Sequence, residues 1–126
     1  MAKLTPEALQ AWQQHDDRMV FSTTNEDNVA NSIWILCAQL INDEQFVIAN
    51  NAMQKTLENI KRGSKGVLLY IAPEREAYQV KGSLEYYTDG PIYDDMKNNW
   101  LDPKFPGKGA LVLNIEEVYY GAEQVV

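Results

Sequence analysis

The chain is poor in the residues from which self-sufficient catalytic and metal centres are usually built: one cysteine, Cys37, and one histidine, His15, in 126 residues. One cysteine excludes an internal disulfide framework, and one histidine cannot make a histidine-based metal site. No apolar run approaches the roughly 20 residues needed to span a bilayer. The first residues pass quickly into Glu7, Gln10, Gln13 and Gln14 instead of the apolar core of a secretory signal, so a cytoplasmic protein with no membrane partner is expected. Positive charge is scarce as well. Eleven Lys and Arg stand against 18 Asp and Glu, a formal net charge of −7, which makes the chain a poor counterion for nucleic acid. Neither a Gly-x-Gly-x-x-Gly fingerprint nor a Walker phosphate loop occurs, which disfavours a doubly wound nucleotide-binding fold.

The sequence supplies a soluble core, with 45% apolar residues over a length suited to a single domain spanning residues 1–126. Such a chain buries roughly two thirds of the surface that it exposes when unfolded. Thr5-Pro6 followed by Glu7 reads as a helix start, with Leu9 and Trp12 on one face and an end near Asp17. Strands are predicted at Arg18 to Thr24, Ala30 to Ile41, Gln45 to Ala49, Gly66 to Ala72 and Tyr78 to Tyr86, where apolar and β-branched residues run or alternate between turn residues. A helix before Gly63 separates the third strand from the fourth. Ile92, Met96 and Trp100 recur at four-residue spacing and predict another helix, followed by a loop from Asp102 to Lys108 and a sixth strand from Ala110 to Tyr120. Six strands joined mainly by turns predict a mainly β fold, an antiparallel barrel with short peripheral helices.

The chemistry-bearing candidate is Asn51 to Ile60, a helix start following the apolar run Phe46 to Ala49. Lys55 lies in its first turns, where free backbone N–H groups and the helix dipole repel a cation. A phosphate reverses that sign, because it accepts the N–H groups, the Thr56 hydroxyl and the Lys55 ammonium together. The competing reading is an ordinary capping pair between Asn51 and Gln54, with Leu57 and Ile60 facing the core and Lys55 solvated. Lys61, Arg62 and Lys65 are explained by the helix C-terminus alone. Cys37, in an apolar run, reads as a buried inert thiol. His15 reads as a solvated side chain, and the adjacent acids Asp16-Asp17, Asp94-Asp95 and Glu116-Glu117 as solvated faces, since neighbours in a helix or strand point apart. With no evident internal nucleophile or base, difficult chemistry would have to come from a bound cofactor.

Three segments in order resemble the small FMN-binding split-barrel proteins related to pyridoxamine 5′-phosphate oxidase. These are Val29-Ala30-Asn31-Ser32, Met53-Gln54-Lys55-Thr56 with Asn59, and Lys81 to Pro91. The resemblance implies a six-stranded split barrel binding FMN at a homodimer interface, with Lys55 and Thr56 on the phosphate. It further implies contacts from Asn31 and Ser32 and an approach of the segment Ala49 to Met53, including Asn51, to the flavin ring. Trp100 resembles an aromatic supplied across the dimer interface; Phe105 is the alternative, and a core role for Trp100 competes with both. Ile33 stands where several relatives carry an aromatic, and Trp34 follows one position later, on the opposite side of the strand. The function implied is a flavin-dependent oxidoreductase with a small-molecule or electron-transfer redox partner. A non-enzymatic flavin carrier or electron-transfer module and a cofactor-free structural domain are the alternatives. Because the chain stops soon after the sixth strand, efficient oxidation of pyridoxamine 5′-phosphate itself is not expected.

Overall fold

The computed structural model describes residues 2–126. In chain order the elements are α1 (Pro6–Gln13), β1 (Met19–Thr24), β2 (Ala30–Ile35), β3 (Ala38–Asn42), β4 (Gln45–Asn50) and α2 (Lys55–Arg62). Then follow β5 (Gly66–Ala72), β6 (Glu76–Tyr87), α3 (Pro91–Asp95), β7 (Gly109–Tyr120) and β8 (Glu123–Gln124). The sheet is antiparallel and runs β2-β1-β5-β6-β7-β4-β3, with β8 beside β7.

That order explains the curl of the sheet. β2 and β3 are its two edges, yet only Leu36 and Cys37 separate them in sequence. Three peptide units reach roughly 11 Å at most, so the first and last strands must be drawn together. The barrel closes through the covalent link, with no β2–β3 ladder, and this is the split.

The expected single strand from Ala30 to Ile41 is therefore two strands, and with β8 the count is eight instead of six. Leu36-Cys37 carries no glycine, proline or other turn residue, so nothing local marks the break. The first helix also ends at Gln13, four residues before the predicted end, because the Gln14 and His15 N–H groups bond back to Ala11 and Trp12 carbonyls as the chain turns toward β1.

Phe21, Phe46, Ile48, Leu68, Val80, Leu111, Leu113 and Ile115 fill the barrel, and Trp12 of α1 joins them against Phe46 and Tyr70. α2 packs at the opposite end of β1, where Asn59 Nδ2 donates to Thr23 Oγ1 at 3.0 Å. A second core lies outside the sheet. There α3 and the π-helical turn Met96–Trp100 bury Met96 and Leu101 against Val47, Ala49, Ala110 and Val112. Strands β4 and β7 are thus covered on both faces, which accounts for their nearly continuous apolar sequences. Gly82 marks a register shift between β6 and β7, and an added Cβ there would lie 1.7 Å from the Asn114 carbonyl oxygen. Among the described residues, no helix is long and apolar enough to cross a membrane.

Candidate functional site

Helix α2 begins at Lys55 itself. Its N-cap, Gln54, has φ −121° and ψ −76° and makes no side-chain capping bond. The capping pair between Asn51 and Gln54, the competing reading, is not formed. The Asn51 side chain instead accepts a bond from the Gly107 N–H at 3.1 Å, which ties it to a distant loop. The first intrahelical bond runs from the Glu58 N–H to the Gln54 carbonyl at 3.1 Å. The N–H groups of Lys55, Thr56 and Leu57 thus precede the helical ladder and gain nothing from a cap, leaving a donor-rich terminus with partial positive charge.

Two side chains from distant parts of the sequence complete this end. Thr56 is only 2% exposed, and its Oγ1 accepts a hydrogen bond from Asn31 Nδ2 on β2 at 3.0 Å. A hydroxyl that accepts there keeps its own proton to donate elsewhere. The Lys55 ammonium lies 3.0 Å from Glu58 Oε2, with the two side chains 63% and 69% exposed. Lys55 is accordingly not an unpaired cation. Exposed pairs of this kind are weak, however, so the ammonium is free to exchange partners.

The terminus opens into a cleft of about 510 Å³. Asn31, Gln54, Lys55 and Thr56 make one part polar, whereas Ile33, Leu36, Cys37, Ala49 and Phe105 supply apolar lining. A cleft of this size with few, convergent polar groups is the usual form of a small-molecule site. Cys37 borders it at the β2–β3 link and is half-buried, not sealed within a strand as its apolar neighbours suggest. Burial pushes its thiol pKa up, a hydrogen bond with Asn51 opposes that shift only in part, and the group remains a protonated thiol.

The other predicted residues are distributed unevenly. Asn51 and Met53 border the cleft with Asn31, Lys55 and Thr56. Ser32 does not; alternation along β2 sends it to the opposite face, where its Oγ lies 2.7 Å from that of Ser22. Trp100 also lies outside the cleft, packed on the second core, with its Nε1 buried and without a hydrogen-bond partner. The aromatics at the cleft are Phe105 and Trp34. The latter borders the cleft and is 74% exposed.

His15 is not simply solvated: its ring stacks on Trp12 with centroids 3.8 Å apart, and Nδ1 bonds the Trp12 carbonyl. Of the adjacent acids, Glu116 and Glu117 take separate partners. Asp16 holds Arg18, Glu116 holds Lys65, and Glu117 accepts from the Tyr119 hydroxyl. The role of the Asn50 side chain was not anticipated. Asn50 is 1% exposed and bonds both Tyr86 and the Met53 backbone, yet an asparagine after an apolar run looks like an ordinary turn residue.

The sequence pattern described as pyridoxamine 5′-phosphate oxidase matches residues 5–121. The chain belongs to that family. An uncharacterized protein of Methanocaldococcus jannaschii is 30% identical over 123 residues, covering 94% of this chain and 81% of that protein. Among solved structures, a candidate pyridoxamine 5′-phosphate oxidase of Lactobacillus delbrueckii superposes with a TM-score of 0.78 at 24% identity, covering 93% of each chain. An FMN-binding protein of Syntrophomonas wolfei does so with a TM-score of 0.71 at 22% identity, covering 88% of this chain and 78% of that one. At these identities the likeness establishes the family's fold and leaves ligand and reaction to the site.

Proposed function

We propose that the protein binds FMN in the cleft beside α2 and acts as a flavin-dependent redox protein. The observation that carries this reading is the uncapped start of α2, where Lys55 and the Asn31-held Thr56 hydroxyl adjoin the free N–H groups. Those donors match a phosphate dianion, and the apolar lining at Leu36, Cys37, Ala49 and Phe105 matches a planar ring system. When bound, flavin supplies one- and two-electron chemistry that the chain's own side chains do not. The residues here bind the phosphate, exclude water from the ring and fix its orientation.

The partner assignment extends this reading. Val29, Trp34, Leu36, Leu69 and Ile71 are large apolar residues left exposed, and Trp34 and Leu36 also border the cleft. A symmetric homodimer that covers Trp34 and Leu36 would shield the cofactor. A half-buried free thiol in the cleft suits a reducing compartment, in keeping with action in the cytoplasm.

An electron-transfer or carrier role is the second reading, favoured because Lys55 and the protonated Cys37 are the titratable side chains lining the cleft. Purified protein carrying the visible absorption of bound flavin supports the proposal, and colourless protein indifferent to added FMN opposes it. Steady consumption of reduced nicotinamide then separates an oxidoreductase from a carrier. Sedimentation at low concentration tests the dimer.

A further inference from the structure

Three strands meet at a buried amide next to the cleft. Asn50, the last residue of β4, accepts a hydrogen bond at Oδ1 from the Met53 N–H at 2.8 Å, and its Nδ2 donates to the Tyr86 hydroxyl of β6, also at 2.8 Å. A backbone N–H can only donate, so the orientation of the amide is fixed. Tyr86 reaches Asn50 across Gly109 of β7, and an added Cβ on Gly109 would sit 2.1 Å from the phenol oxygen. The Asn50 carbonyl accepts from the Lys108 N–H at 2.7 Å, so the same residue also holds the chain leaving the Phe105 loop.

A turn at a strand end is ordinarily satisfied by solvent. Here the turn that lines the cleft and leads into α2 is held by a side chain from which water is excluded, and that side chain is braced by a tyrosine for which a glycine makes room. We propose that Asn50 is a positioning residue: through Met53, and braced by Tyr86, it sets the backbone from Asn51 to Gln54 against the ring of the bound cofactor. Asn50 itself does not line the cleft. This rests on the FMN reading for its ligand, but the hydrogen-bond relay belongs to the protein alone.

The test uses Asn50→Ala and Tyr86→Phe, with Lys55→Ala for contrast. The exchange rate of the Met53 amide is measured in flavin-free protein, and affinity and visible circular dichroism are measured with FMN and riboflavin. Loss of a buried hydrogen-bond partner should speed Met53 exchange in Asn50→Ala by about ten- to hundredfold. Tyr86→Phe should act in the same direction and more weakly, since the bond to Met53 survives. Asn50→Ala should weaken both flavins and alter the dichroism of the bound ring, whereas Lys55→Ala should weaken FMN alone. A purely stabilising role would lower the melting temperature and leave the ring's spectrum at saturation unchanged, which overturns the proposal. Unchanged Met53 exchange in both Asn50→Ala and Tyr86→Phe also overturns it. Should Asn50→Ala not fold, Tyr86→Phe decides by the same two readouts. If the wild type binds neither flavin, the functional reading fails, while the exchange measurement still decides whether the relay holds the turn.

Discussion

Asn31 and Thr56 stand 25 residues apart in sequence, yet Asn31 Nδ2 donates to Thr56 Oγ1 at 3.0 Å. The bond joins the edge strand of the barrel to the first turn of α2. It also dictates what Thr56 offers a ligand, because an oxygen engaged as acceptor presents its proton outward. Thr56→Val keeps the shape and removes that donor. We expect it to weaken FMN binding by roughly tenfold, the value of one hydrogen bond to a charged group at the lower end of its range. Asn31→Ala should weaken binding less, since it frees the hydroxyl without deleting it. Isothermal titration of the two variants ranks them, and the reverse order would show that Asn31 meets the ligand directly.

Gly82 answers to packing instead of to any ligand. Its missing Cβ leaves room for the Asn114 carbonyl, 1.7 Å from where that atom would lie. The obstruction is backbone within the β6–β7 ladder, so no rotamer change relieves it. Gly82→Ala should lower stability by at least about 1–3 kcal/mol, the usual range for overpacking a core. A urea midpoint equal to that of the wild type would mean that the ladder yields more readily than its register suggests.

How much of this was legible in advance depended on whether the signal was local. The Gly66–Ala72 strand appears with its predicted bounds, because its ends are set by glycine and proline. Lys55 at a helix start was equally readable, since charge and helix polarity are properties of one segment. The break at Leu36-Cys37 was not, because it is imposed by sheet order and by the need for opposite edges to meet. Ser32 illustrates the limit within a motif: Asn31 and Ser32 are adjacent in sequence, but the period of a strand sends one to the cleft and the other to Ser22. Asn50 and Asn51 look alike in sequence, and only burial distinguishes the side chain that ties β4 to β6 from the one that accepts the Gly107 N–H.

The Asp16–Arg18 pair gives a pH prediction away from the cleft. The Arg18 side chain donates two hydrogen bonds, at 2.9 and 3.0 Å, and its backbone N–H a third at 2.9 Å. Together they lower the Asp16 pKa to about 2 from an ordinary 3.8. A carboxyl whose pKa falls on folding stabilises the folded state above its unfolded pKa, and that contribution is lost as pH drops through the folded one. The contribution should therefore be complete above about pH 4 and fade toward pH 2, with a small amplitude because the pair is solvent-exposed. In Arg18→Ala, the Asp16 carboxyl followed by NMR should titrate above about 2 but below 3.8, because the backbone N–H of residue 18 still donates to it. A titration still centred near 2 would assign the shift to other groups.

The exposed pair between Lys55 and Glu58 yields opposite predictions for its two members. In the free protein the ammonium rests 3.0 Å from the Glu58 carboxylate, one helical turn away. A dianionic phosphate at the α2 terminus competes for it with more charge and with the helix dipole on its side. Lys55→Ala removes a charged donor, and FMN affinity should fall about ten- to hundredfold, as expected for roughly 1.5–3 kcal/mol. Glu58→Gln removes a competitor and a like charge near the phosphate, so affinity should rise, by only a few-fold because exposed pairs contribute roughly 0.2–1 kcal/mol. Riboflavin, which lacks the phosphate, should distinguish neither variant from the wild type. Raising ionic strength should shrink both effects, because the groups involved are solvated and screened within about 10 Å at 0.1 M salt. Titration of both flavins at two salt concentrations therefore separates a phosphate contact from a change of fold. A Glu58→Gln variant that binds FMN less well would show that the carboxylate holds Lys55 in place for the ligand instead of competing for it.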